Sequence, residues 1–176
     1  MSWSDRRTLL MLPLAALLTA CGFSPVYGPD GTGNALRGRV EIAAPDTINS
    51  YILVQRLEEQ LGRTVDPAYT LALTLATEQQ GQAITANDET TRYSIVGILG
   101  YVLTEIATGR IVASGDVRNF TGYSATGSTV ETLAAERDAN RRLMVILADQ
   151  LVAGLYATAN LDGDPAADDT SPDDPA

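Results

Sequence analysis

The chain has 176 residues, of which 45% are apolar and only 6% aromatic, a mixture that supports one compact core and excludes a wholly disordered polymer. Acidic residues outnumber basic ones by 22 to 12, which repels phosphate and excludes nucleic acid or an anionic membrane as a nonspecific partner of the whole surface; local basic patches stay open. There is no histidine and only one cysteine, so intramolecular disulfides, imidazole metal sites and Ser-His or Cys-His nucleophiles are all ruled out.

Arg6 and Arg7 precede the apolar run Leu9–Leu18, the pattern of an export signal. The run is too short to cross a membrane, which takes about 20 apolar residues for about 30 Å of hydrocarbon. Residues 1–20 are therefore read as a signal peptide; removing them deletes Asp5, Arg6 and Arg7 and leaves 21 acidic residues against 10 basic. The junction Leu18-Thr19-Ala20-Cys21 resembles a bacterial lipobox, in which small residues precede a cysteine that is acylated and becomes the new N-terminus. That likeness makes Cys21 the lipidation site. It implies three acyl chains, a firm anchor because each buried methylene contributes about 0.8 kcal/mol. Gly22 stands where Asp favours retention in the inner membrane of enteric bacteria, so delivery to the outer membrane, on its periplasmic face, is expected.

Residues 21–35, rich in Gly and Pro, read as a lipidated, extended tether. The glycines at 28, 31 and 33 follow no strand and precede no Lys, which excludes a phosphate loop. Leu36–Ala43, with Val40 and Ile42 alternating with charged residues, reads as a short strand. Asn49 is the expected N-cap of a helix over Ser50–Leu61, where Leu53, Leu57 and Leu61 form one stripe and Gly62 ends it. Tyr69, Leu71, Leu73 and Leu75 alternate with Ala and Thr, the mark of a strand with one buried face and Tyr69 in the core. The polar stretch Glu78–Thr91 reads as a long connection.

From Tyr93 to Leu103 both alternating sets are apolar: Tyr93, Ile95, Leu99, Tyr101 and Leu103 on one side, Val96, Ile98 and Val102 on the other. Two readings compete. Either this is a central strand sandwiched within the domain, or Val96, Ile98 and Val102 face a partner protein. Ala107-Thr108-Gly109-Arg110 turns into a strand over Ile111–Phe120, with Gly115 read as a bulge. Ser128-Thr-Val-Glu131 is a capping box opening a long helix with Leu143, Leu147, Leu151 and Leu155 on its apolar face. Together these elements predict an α/β sandwich over residues 36–158, a four-stranded, mostly antiparallel sheet with two helices on one face in the order β-α-β-β-β-α. Residues 159–176, acidic and without a basic residue, read as a disordered tail. Asn160, Asp162 and Asp164 imitate the start of a calcium loop, but Pro165 replaces the required Gly.

Nothing here suggests a reaction, a metal or a cofactor. Glu58 and Glu59 belong to the polar face of a helix, and no pair of acids ends a predicted strand in a glycosidase arrangement. The sequon Asn119-Phe120-Thr121 is accidental beside a bacterial lipobox.

The start Cys21-Gly22-Phe23-Ser24-Pro25-Val26-Tyr27-Gly28, the strand entry Thr91-Arg92-Tyr93 and the stretch Arg141–Leu151 with Leu147-Ala148-Asp149 occur in an order that resembles the LPS-assembly lipoprotein family, LptE, in its alphaproteobacterial branch. The resemblance covers essentially the whole mature domain. It implies a noncatalytic domain inside the lumen of the outer-membrane β-barrel LptD, plugging and helping to assemble it and aiding lipopolysaccharide delivery. It also implies basic contacts to lipopolysaccharide near the sheet tip and the start of the last helix, where Arg92 and Arg137 are the candidates. Arg suits phosphate through its planar, forked donors. The competing reading is a surface ion pair with Glu89 or Asp138, and the acidic surroundings depart from a strongly basic glycolipid site. An auxiliary lipoprotein of an ABC-type lipid transport system, which likewise opens with a lipobox and a Pro/Tyr-rich tether, is the alternative function.

Overall fold

The computed structural model describes residues 26–28, 31–84 and 90–161. Cys21, the signal segment and the acidic residues from Asp162 onward lie outside the described residues. Along the chain run α1 (Thr32–Leu36), β1 (Val40–Ile42), α2 (Ile48–Leu61), β2 (Tyr69–Ile84), β3 (Thr90–Glu105), β4 (Ile111–Ser124) and α3 (Thr129–Thr158). The strands form one sheet in the order β1-β2-β3-β4, with β1 parallel to β2 and the other pairs antiparallel. The expected sandwich is the one observed, with α2 and α3 packed on the same face.

Alternation in the strands builds that covered face. Leu71, Leu99 and Leu103 join Leu53, Leu57 and Leu61 of α2 and Leu143, Leu147, Leu151 and Leu155 of α3 in one core, each at most 1% exposed. Burial of each such side chain contributes about 2 kcal/mol. The helices are cross-linked above the core by Arg56, whose Nε donates to Asp149 Oδ1 at 2.8 Å. The Leu147-Ala148-Asp149 stretch thus has two buried residues and one anchor for α2.

The long helix sits close enough to the sheet to require missing side chains beneath it. A Cβ on Gly97 would lie 2.9 Å from Leu147 Cδ1 and 3.1 Å from Leu143 Cδ2. Gly115 makes room for Tyr101, its cross-strand partner, whose hydroxyl would meet a Cβ there at 3.0 Å. Gly115 is therefore not a bulge: its pairing is regular, and the register shift falls between Leu103 and Thr104, leaving Val112 as the extra residue.

Local chemistry sets the helix ends. Thr47, not Asn49, caps α2: its hydroxyl accepts from the Ser50 amide at 3.1 Å while the Ser50 hydroxyl accepts from the Thr47 amide at 2.8 Å. Asn49 donates instead to Asn140 Oδ1 at 3.3 Å, tying α2 to α3. Gly62 ends α2 at a φ of 81°, a conformation that favours glycine. The capping box of α3 is formed as expected, with the Ser128 amide donating to the Glu131 carboxylate at 2.7 Å. These bonds from Ser128 hold the Glu131 carboxyl below its ordinary range.

Several segments differ from the sequence reading, and β4 runs on past the expected end at Phe120 to Ser124. Most of Glu78–Thr91 is strand, because β2 runs to Ile84 and β3 begins at Thr90, with Gln79 opposite Ile95 and Gly81 opposite Tyr93. Residues 76–82 are all exposed, so this part of the ladder has no buried face to impose alternation. At the other end, Thr32–Leu36 forms one helical turn instead of extended chain, with Leu36 buried and the Gly33 amide donating to Val26 O at 2.9 Å. Within the predicted strand Leu36–Ala43, only Val40–Ile42 pairs.

Candidate functional site

Because α2 and α3 lie on one side, the other face of the sheet is open among the described residues. Cross-strand partners project to the same side of a sheet, so the register assigns this face directly. Val96 stands between Glu78 and Phe120, Ile98 between Ala76 and Arg118, and Val102 between Ala72 and Ser114. All three residues expected to face a partner, Val96, Ile98 and Val102, fall on it together. Of the two readings of β3, a strand sandwiched within the domain is therefore not what the described residues form.

Ile98 is 41% exposed and Phe120 67%. Val96 and Val102 are half-buried by their neighbours. Around Gly100 the small side chains of Ala72, Thr74 and Ser114 leave a shallow depression of about 290 Å³. The result is a smooth, largely apolar shelf with bulkier Ile98 and Phe120 beside it. Sequence reading missed Phe120. The hairpin alone does not place it: carrying the Thr104–Ile111 pairing forward would set Phe120 opposite Ile95, and only the one-residue shift at Val112 brings it to Val96.

At the tip of the sheet, Tyr93 and Tyr123 stack with ring centroids 5.4 Å apart and planes 17° from parallel. Gln79 Nε2 donates to the Tyr123 hydroxyl at 2.7 Å. Burial, and then the nearby Glu136 carboxylate, raise the Tyr123 pKa. Arg92 lies here, exposed, opposite Ser124 and on the same side of β3 as Val96. Arg137 is exposed on α3, which covers the opposite side of the sheet. The structure thus does not bring the two arginines together on one face.

Asp138 is taken by another residue. Arg142, four positions on, forms the ion pair with it, and Arg142 Nη2 also donates to Gly122 O at 3.3 Å. Residues four apart share a helix face and sequence neighbours do not, which is why Arg142 and not Arg137 is the partner. Glu89, the other candidate partner, lies outside the described residues.

With this geometry, the chain shares its fold with bacterial lipoproteins of known structure. A protein from Caulobacter crescentus assigned as a lipoprotein superposes with a TM-score of 0.58 at 18% identity, over 72% of this chain and 93% of that one. Rare lipoprotein B from Shewanella oneidensis gives 0.54 at 12% identity, over 68% and 93%. Lipoprotein B from Nitrosomonas europaea gives 0.52 at 16% identity, over 70% and 86%. No protein-family model matches the chain, and no curated protein matches its sequence. At these identities the likeness establishes the fold, and the open face has to be interpreted on its own chemistry.

Proposed function

We propose that the chain is a noncatalytic outer-membrane lipoprotein, anchored on the periplasmic side through acyl chains on Cys21, that plugs the LptD β-barrel, assists its assembly and so aids delivery of lipopolysaccharide. The observation that carries this reading is the uncovered strip of Val96, Ile98, Val102 and Phe120 on a sheet whose other face holds the helices and the core. Apolar surface gains about 25 cal/mol for each Å² removed from water, so such a strip favours a covering partner. A smooth, shallow shelf with its charges, Glu78, Asp116 and Arg118, on the flanking strands suits a protein wall better than a small-molecule cleft. The lipobox and the fold shared with bacterial lipoproteins support the same reading.

Photocrosslinkers at Ile98 and Val102 test it, with Glu58, exposed on the outer side of α2, as the control. Adducts with the barrel at 98 and 102, absent at 58, are the expected result. An inner-membrane permease captured instead supports the ABC-type transport alternative, and equal yields at all three positions contradict both. Contact with lipopolysaccharide is tested one residue at a time, by Arg92→Gln and Arg137→Gln, because the two arginines stand on opposite sides of the sheet.

A further inference from the structure

The end of the domain remote from the Tyr93–Tyr123 tip is built from loops that hold one another by backbone bonds. Gly38 N donates to Leu61 O at 2.7 Å, Val65 N to Gly38 O at 3.0 Å, Ile106 N to Ala68 O at 2.9 Å and Asn160 N to Val112 O at 2.9 Å. Val65 and Ile106 in these loops, and Ile111 at the start of β4, stand in water at 88%, 48% and 59% exposure. Arg37, Arg39 and Arg63 are exposed in the same loops and form no ion pair among the described residues, whereas Arg110 is held by Glu105 at 3.4 Å. Asp66 is the exposed acid among them.

The N-terminal segment arrives at this same end. Tyr27 meets Tyr156, in the last turn of α3, edge-on at 5.9 Å. Val26 is five residue steps from Cys21, a reach of at most about 18 Å when fully extended. The 30 residues of α3 span about 45 Å. An acyl chain on Cys21 therefore keeps this end beside the bilayer and leaves the sheet tip out of reach.

We propose that this end, which carries Val65, Ile106 and Ile111 together with Arg37, Arg39 and Arg63, seats on the headgroups of an anionic phospholipid leaflet before the domain enters the barrel, so that the domain stands with its sheet tip pointing away from that leaflet. The inference rests on the acylation of Cys21 proposed above. Among the described residues no helix is long and apolar enough to cross a membrane, so the seat is peripheral. The acidic balance of the whole chain does not oppose it, because charges more than about 10 Å away are screened and each arginine at an anionic surface tightens contact about fivefold.

Trp3 is the single tryptophan and belongs to the segment expected to be cleaved, so a tryptophan introduced into the mature chain is its only one. Full-length Val65→Trp and Val130→Trp proteins, acylated in cells, are reconstituted into vesicles of phosphatidylethanolamine and phosphatidylglycerol carrying brominated acyl chains. Val130, at the opposite end of α3, is 78% exposed. The expected result is loss of most emission at position 65 and none at 130, with the loss at 65 reduced by the combined changes Arg37→Gln, Arg39→Gln and Arg63→Gln. Equal quenching at both positions, or none at 65 in vesicles that retain the acylated chain, overturns the seat while leaving the anchor intact. Quenching at 65 that appears only after residues 162–176 are deleted gives these arginines to the acidic tail and also overturns it. A mature chain that mass spectrometry finds unacylated and that fails to float with vesicles sinks the anchor reading, and the seat with it.

Discussion

Ile98 and Leu99 are adjacent aliphatic residues of β3 with opposite surroundings, one 41% exposed on the open face and the other fully enclosed under the helices. Glycines repeat the contrast: Gly97 is pressed against Leu143 and Leu147, whereas a Cβ on Gly100 would find its nearest neighbour, Thr74 Cβ, at an ordinary 3.8 Å. Apolar character in a strand thus has two separate origins here. On one face it fills a core; on the other it leaves a surface that no described residue covers.

The sharpest test of that difference is Leu99→Ala against Ile98→Ala. Leu99→Ala is expected to cost about 3 kcal/mol in urea unfolding, and Ile98→Ala to stay within about 1 kcal/mol. Equal losses would erase the distinction between the faces. Next, Gly97→Ala is expected to lower stability by about 2 kcal/mol through overpacking under α3. Gly100→Ala is expected to be neutral or to gain about 0.5 kcal/mol, since glycine weakens a strand interior; thermal unfolding of the pair measures both.

A smaller effect refines the covered side. Ser128→Ala removes the hydroxyl cap of α3 and is expected to cost about 1 kcal/mol. Smallest is the contribution of Glu131, whose carboxyl is held below its ordinary pKa by bonds from Ser128. A depressed carboxyl stabilises the fold above its unfolded pKa, and that stability disappears as pH falls through the folded value. Glu131→Gln should therefore flatten the acid limb of a stability–pH curve and leave the neutral region with only the loss of the charged cap.

The covered face was legible because alternation and leucine spacing are written wherever one side of an element is buried. Leu71, Leu99 and Leu143 could be assigned from period alone, and the Ser128–Glu131 box marked the start of α3. The open face was half legible: the second apolar set of β3 announced it, while Phe120 needed a register that the shift at Val112 conceals. The hairpin tip was illegible, since residues 76–82 are wet on both sides and carry no period. The separation of Arg92 from Arg137 depends on which side of the sheet the helices choose, a tertiary fact with no local signature.

The shortness of β1 has a consequence for the protein before it meets any partner. β1 accompanies β2 only along Tyr69–Leu71, so from Leu73 to Ile84 no described strand lies on the outer margin of β2, and Glu78 is the sole charge in that stretch. Unpaired strand margins recruit further strands. Concentrated, solitary protein is therefore expected to self-associate margin to margin, and under the proposed function capture by the barrel would serve solubility as much as assembly.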